Sequence, residues 1–133
     1  MLSNLPVVLV VEDDDLIRDL IYRWLSTIDV ELHFASNGAE GVIKYEELMK
    51  KGKVPDIVVM DIGLPIMDGI QATKEIMKLD PYAKIYGFTA FYGTRKAKQL
   101  IEAGAKKVIP RSVGFEMFTH IIRDALLERA MEV

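Results

Sequence analysis

DIVVMDIGLPIMDG, residues 56–69, carries a short apolar run, Ile57 to Met60, directly into an aspartate, Asp61. A continuous apolar run bounded by turn residues is how a strand buried on both faces of a parallel sheet reads. Gly63, Pro65, Asp68 and Gly69 then break the pattern, and Ile70, Ile76, Met77 and Leu79 resume it at helical spacing. Asp61 is therefore predicted at a strand's carboxyl end, facing a loop, where open α/β sheets bind ligands. Taken alone, it has a plainer reading as a turn aspartate beside Gly63.

A second acidic group bears on that choice. Val7 to Val11 is another apolar run of strand type, and it ends in Glu12, Asp13, Asp14 and Asp15. Asp14 or Asp15 can cap the helix that begins near Leu16, which leaves Glu12 and Asp13 over. If the two strands are neighbours, these carboxylates converge with Asp61, and like charges that close raise one another's pKa unless a cation is present. Oxygen-only ligands with room for water suit Mg²⁺. The absence of Cys and the presence of only 2 His argue against zinc.

The 133 residues suit one domain, 1–133, with no second domain for output. Half of them are apolar and 28% charged, as in ordinary soluble proteins. No run is long enough to span a membrane, and the start lacks a basic leader, so a cytoplasmic location and no membrane insertion are expected. A net charge of −3 weighs against direct nucleic-acid binding. From Arg95 onward, Lys96, Lys98, Lys106, Lys107 and Arg111 meet only Glu102, which reads as a solvated helix face or as a docking surface.

Strand and helix signals alternate along the chain. Leu16, Ile17, Leu20, Ile21, Trp24, Leu25 and Ile28 recur at helical spacing, with Trp24 in or at the edge of the core. A strand over 30–35 alternates apolar Val30, Leu32 and Phe34 with Glu31 and a solvent-facing His33. A helix over 39–51 is predicted to bury Val42, Ile43, Leu48 and Met49. A strand over 83–89, a basic helix over 94–103 stopped by Gly104, and a short strand at Val108 and Ile109 follow. Phe115, Phe118, Ile122, Ala125 and Leu126 mark the last helix, with His120 on its surface. Five strands and five helices in alternation predict an α/β, flavodoxin-like, doubly wound parallel sheet of order 2-1-3-4-5, with the first and third strands adjacent at the switch point. Pro110 fits the fifth strand because that strand lies at an edge.

VLVVEDD, VVMDIGLPIMDG, GFTA and GAKKVI, taken together in this order, resemble the receiver domains of two-component response regulators, of the single-domain chemotaxis kind. The resemblance implies that Asp61 accepts a phosphoryl group from a sensor histidine kinase or phosphotransfer protein. It also implies Mg²⁺ held by Asp13 directly, by Glu12 through water, by Asp61 and by the Gly63 carbonyl. Thr89 matches the hydroxyl that bonds the new phosphoryl oxygen. Arg111 stands where the family has a lysine followed by proline, and Val108 where it has a switch aromatic. The implied role is a self-phosphorylating and self-dephosphorylating switch, not a turnover enzyme, with output through a downstream protein target. The alternative is a pseudo-receiver interaction module that does not switch by phosphorylation. A phosphatase of the haloacid dehalogenase pattern would need a second aspartate where Gly63 stands.

Overall fold

The computed structural model describes residues 4–131; residues 1–3 and 132–133, which the single-domain expectation includes, lie outside them. The chain runs β1 (Val7–Val11), α1 (Asp15–Leu25), β2 (Glu31–Ala35), α2 (Gly38–Lys50), β3 (Ile57–Met60), α3 (Gly69–Leu79), β4 (Ile85–Thr89), α4 (Arg95–Ala103), β5 (Lys107–Pro110) and α5 (Phe115–Met131). All strands are parallel, in the order β2-β1-β3-β4-β5, as the alternation predicts. Among the described residues no helix is long and apolar enough to cross a membrane.

Alternate residues along the central strands feed two cores, because successive strand side chains point to opposite faces. Leu9, Val11, Val58 and Met60 join Tyr45, Ile76 and Leu100 on the face covered by α2, α3 and α4. Val8, Val10, Ile57 and Val59 join Ile21, Leu25, Phe88, Phe118 and Ile122 on the face covered by α1 and α5. Side chains close the helix starts: Asp14, Asn37, Asp68 and Thr94 each accept a bond from the backbone N–H three residues on.

Three expectations need correction. Ile43 is 58% exposed, while Tyr45 is fully buried. The core-facing line of α2 is Gly41, Tyr45 and Leu48, with Gly41 seated on Val11, which turns Ile43 outward. The Tyr45 phenol donates to Asp80 Oδ2 at 2.6 Å, and burial together with that bond pushes its pKa up. His33 is half-buried rather than solvent-facing, with Nε2 2.7 Å from Glu31 Oε2. Ile28 lies beyond the end of α1, which closes at Ser26, yet still packs on the core. A single 3-10 turn over Arg111–Val113, not foreseen, joins β5 to α5.

The loop after β3 is wound tightly against the strand end. Gly69 N–H donates to the Ile62 carbonyl at 2.9 Å, and a Cβ at Gly69 would lie 1.9 Å from the Asp61 carbonyl oxygen. In the same loop Ile66 adopts φ 69° while 84% exposed, a conformation that β-branched residues rarely take. Gly69→Ala is expected to lower stability by about 2–3 kcal/mol, since backbone must move to admit one methyl group. Urea unfolding measures this as a lower midpoint at unchanged slope; a variant within about 0.5 kcal/mol of wild type would show that the loop yields freely.

Candidate functional site

Parallel register sets the site. β1 and β3 pair from Val8 with Ile57 to Val11 with Met60, so the next residue on each strand, Glu12 and Asp61, emerges side by side. Asp61 N–H continues the ladder to the Val11 carbonyl at 3.2 Å. Asp13 follows on the first loop. Glu12, Asp13 and Asp61 each offer a carboxylate oxygen, and these oxygens lie within 4.8 Å of one another.

The three acids differ in exposure. Asp13 is exposed, Asp61 half-buried and Glu12 only 2% exposed. Burial, then the Asp61 charge, push the Glu12 carboxyl from 4.5 up to about 7. The Asp14 N–H, at 3.1 Å from Glu12 Oε2, and the Arg111 charge pull the other way without offsetting the rise. Asp61 Oδ1 accepts from the Ile62 N–H at 2.8 Å, which orients its carboxylate.

Arg111 reaches in from the 3-10 turn that follows the edge strand. Its Nη2 donates to Glu12 Oε1 at 3.2 Å and to the Phe88 carbonyl at 3.0 Å, and stands 3.9 Å from Asp61 Oδ1. The structure thus brings Glu12, Asp13, Asp61 and Arg111 together. Thr89, at the end of β4, is buried, and its Oγ1 accepts from the Phe91 N–H at 3.1 Å. Gly63 is exposed in the loop after Asp61, with the Phe91 ring so close that a Cβ there would sit 2.9 Å from Phe91 Cε2. Val108 is half-buried and packs on the core beside Leu100. Sequence reasoning missed Arg18, whose Nη1 donates to the Glu12 carbonyl at 3.1 Å, and Phe88, whose ring lies 4.6 Å from the Arg111 guanidinium. The available signal for Phe88 was a large apolar residue directly before Thr89.

The donor set is oxygen only and carries excess negative charge that one guanidinium does not neutralise. Burial first and the Asp61 charge second push the Glu12 carboxyl toward protonation, and a set of oxygen donors of this kind fits a hard divalent cation. The sign of the resulting pH dependence is fixed. Because the folded pKa of Glu12 is raised, its stabilising contribution is full below about pH 4.5 and is lost as pH climbs through about 7. Between about pH 5 and pH 8, wild type should lose about 2–3 kcal/mol relative to Glu12→Gln, a constant offset aside. A divalent cation held by these oxygens would flatten the slope, since it favours the ionised form. Urea titrations across pH measure both, and a difference independent of pH would contradict this account of Glu12.

The family model described as response regulator receiver domain matches residues 8–123. The chemotaxis protein CheY of Thermotoga maritima is 43% identical over 103 residues, covering 77% of this chain and 82% of that one. CheY of Halobacterium salinarum is 38% identical over 104 residues, covering 78% and 82%. A protein-glutamate methylesterase/protein-glutamine glutaminase of Hahella chejuensis is 41% identical over 108 residues, but the match covers 26% of that longer protein and 79% of this chain. Among solved structures, a CheY-like receiver domain protein of Methanospirillum hungatei superposes with a TM-score of 0.85 at 26% identity, covering 98% of this chain and 100% of that one. A family match over nearly the whole sheet, with CheY relatives alike over most of both chains, makes this chain a member of the response regulator receiver domain family, of the CheY type.

Proposed function

We propose that this chain is a phosphorylation switch in two-component signalling: Asp61 accepts a phosphoryl group from a histidine kinase or phosphotransfer protein, and the modified domain changes the face it offers a downstream protein. The observation that carries this reading is the convergence of Glu12, Asp13 and Asp61 within 4.8 Å, with Arg111 Nη2 at 3.9 Å from Asp61. An Asp61 carboxylate oxygen attacks phosphorus. The new O–P bond forms as the P–N bond to the donor histidine breaks, and the leaving imidazole nitrogen keeps the electron pair and takes up a proton.

Glu12, Asp13, Asp61 and the Gly63 carbonyl are the groups that would hold Mg²⁺, which when bound offsets the repulsion between a carboxylate and an anionic phosphoryl group. Thr89 donates its hydroxyl to the new phosphoryl oxygen. Arg111 turns from Glu12 toward the same group, and its planar fork can bond two oxygens at once. Moving a population from about 1:99 to 99:1 takes roughly 5.5 kcal/mol. New charge-assisted bonds at about 1.5–3 kcal/mol each reach that size. A cytoplasmic location, a single domain over 1–133 and output through a partner complete the proposal.

A second reading, a binding module that keeps the acids without switching, is favoured by one observation. Val108 packs where the family's switch aromatic would stand, and it has no ring to swing. Acetyl phosphate with Mg²⁺ should add one phosphoryl mass to wild type and none to Asp61→Asn. No added mass in wild type, or the same mass in Asp61→Asn, would overturn the switch. Beryllofluoride with Mg²⁺ separates the readings further: amide shifts that reach α4 and α5 accord with the switch, and shifts confined to the acid pocket accord with the module.

A further inference from the structure

We propose that Phe88 is the positioning residue for the Arg111 guanidinium and couples it to α5; this rests on the reading that Asp61 carries the phosphoryl group. Phe88 is only 1% exposed and occupies the end of β4 next to Thr89. It holds Arg111 in two ways, by its carbonyl, which accepts from Nη2 at 3.0 Å, and by its ring, 4.6 Å from the guanidinium carbon. Arg111 Nε is buried and has no hydrogen-bond partner among the described residues. The ring face therefore does part of the work that a second acceptor would otherwise do.

The other side of the ring faces the last helix. Phe88 stacks on Phe118 at 4.1 Å and 15° between planes, and meets Phe115 edge-on at 5.6 Å. Phe115 and Phe118 both belong to the first turn or two of α5. Guanidinium, Phe88 and Phe118 thus form one stacked column from the acid pocket to α5. The arginine and the aromatic ring match as a pair, because a flat delocalised cation stacks on a ring face where a lysine ammonium acts as a point charge. When Arg111 leaves Glu12 for a phosphoryl group, the guanidinium shifts on the ring, and Phe88 passes that shift to Phe118. Val108 needs no ring for this route.

The test is a double-mutant cycle of Phe88→Leu and Arg111→Ala, read by the rate of phosphorylation with acetyl phosphate and Mg²⁺. Phe88→Leu should slow the reaction about fivefold when Arg111 is present, the size of one cation–ring contact, and by less than about twofold in Arg111→Ala. Equal slowing in both backgrounds means a merely structural residue and overturns the proposal, as does no slowing in either. The second readout needs no phosphorylation: the Arg111 Nε–H proton resonance in the untreated chain. Its upfield ring-current shift should vanish in Phe88→Leu, and an unchanged shift overturns the proposal. If wild type takes up no phosphoryl group, the proposed function fails, while this resonance still decides the positioning role. If Phe88→Leu does not fold, the ring protons of Phe118 decide instead. They should move on adding beryllofluoride with Mg²⁺ in wild type and stay still in Arg111→Ala, and movement in both overturns the coupling.

Discussion

Repulsion among Glu12, Asp13 and Asp61, whose carboxylate oxygens lie within 4.8 Å of one another, is the constraint that the rest of the site answers. At that separation, with an effective dielectric constant near 20, two ionised carboxylates repel by about 3 kcal/mol. The strands that carry Glu12 and Asp61 cannot part to relieve it. Val8 to Val11 and Ile57 to Met60 are all buried, and each such side chain contributes about 1.5–3 kcal/mol by burial. Burial outweighs repulsion, so the charges stay and the surroundings adjust. Glu12, raised first by its own burial and then by the Asp61 charge, moves toward protonation, while the Asp14 N–H and Arg111 turn onto it and pull the other way.

Much of this was legible in the sequence because the signals were local. Runs such as Ile57 to Met60 announce buried strands, and Asp14, Asn37, Asp68 and Thr94 stand at the helix starts that they cap. The convergence of Glu12 and Asp61 followed from strand order alone, because parallel register places the residues after Val11 and Met60 together. What was illegible depends on facing. Periodicity fits Ile43 as well as Tyr45 to a buried stripe, and only the seating of Gly41 on Val11 selects Tyr45. Arg111 could be aligned as a site cation, but its choice of Glu12, 99 residues away, and of the Phe88 ring required coordinates.

The two departures from the family pattern belong together physically. Arg111, where the resemblance puts a lysine, is a planar, always-charged group rather than a point charge, and such a group is suited to lie on a flat surface. Phe88 supplies one, continuous with Phe118 on α5. Val108, where the resemblance puts a switch aromatic, packs on the opposite core and carries no ring. The stacked column on the α5 side therefore offers a path between site and surface that does not pass through position 108. Its energy is small against the stability of a domain but comparable with the few kcal/mol that separate two states of a switch.

All of this depends on Asp61 being the nucleophile among crowded acids. Reducing the acetyl-phosphate-treated chain with borohydride converts an aspartyl phosphate to homoserine, and peptide mapping then locates it. Homoserine at position 61 alone is the expected result. Homoserine at position 13, or at no position in a chain that had gained phosphoryl mass, would contradict the assignment of Asp61 as the phosphoryl acceptor.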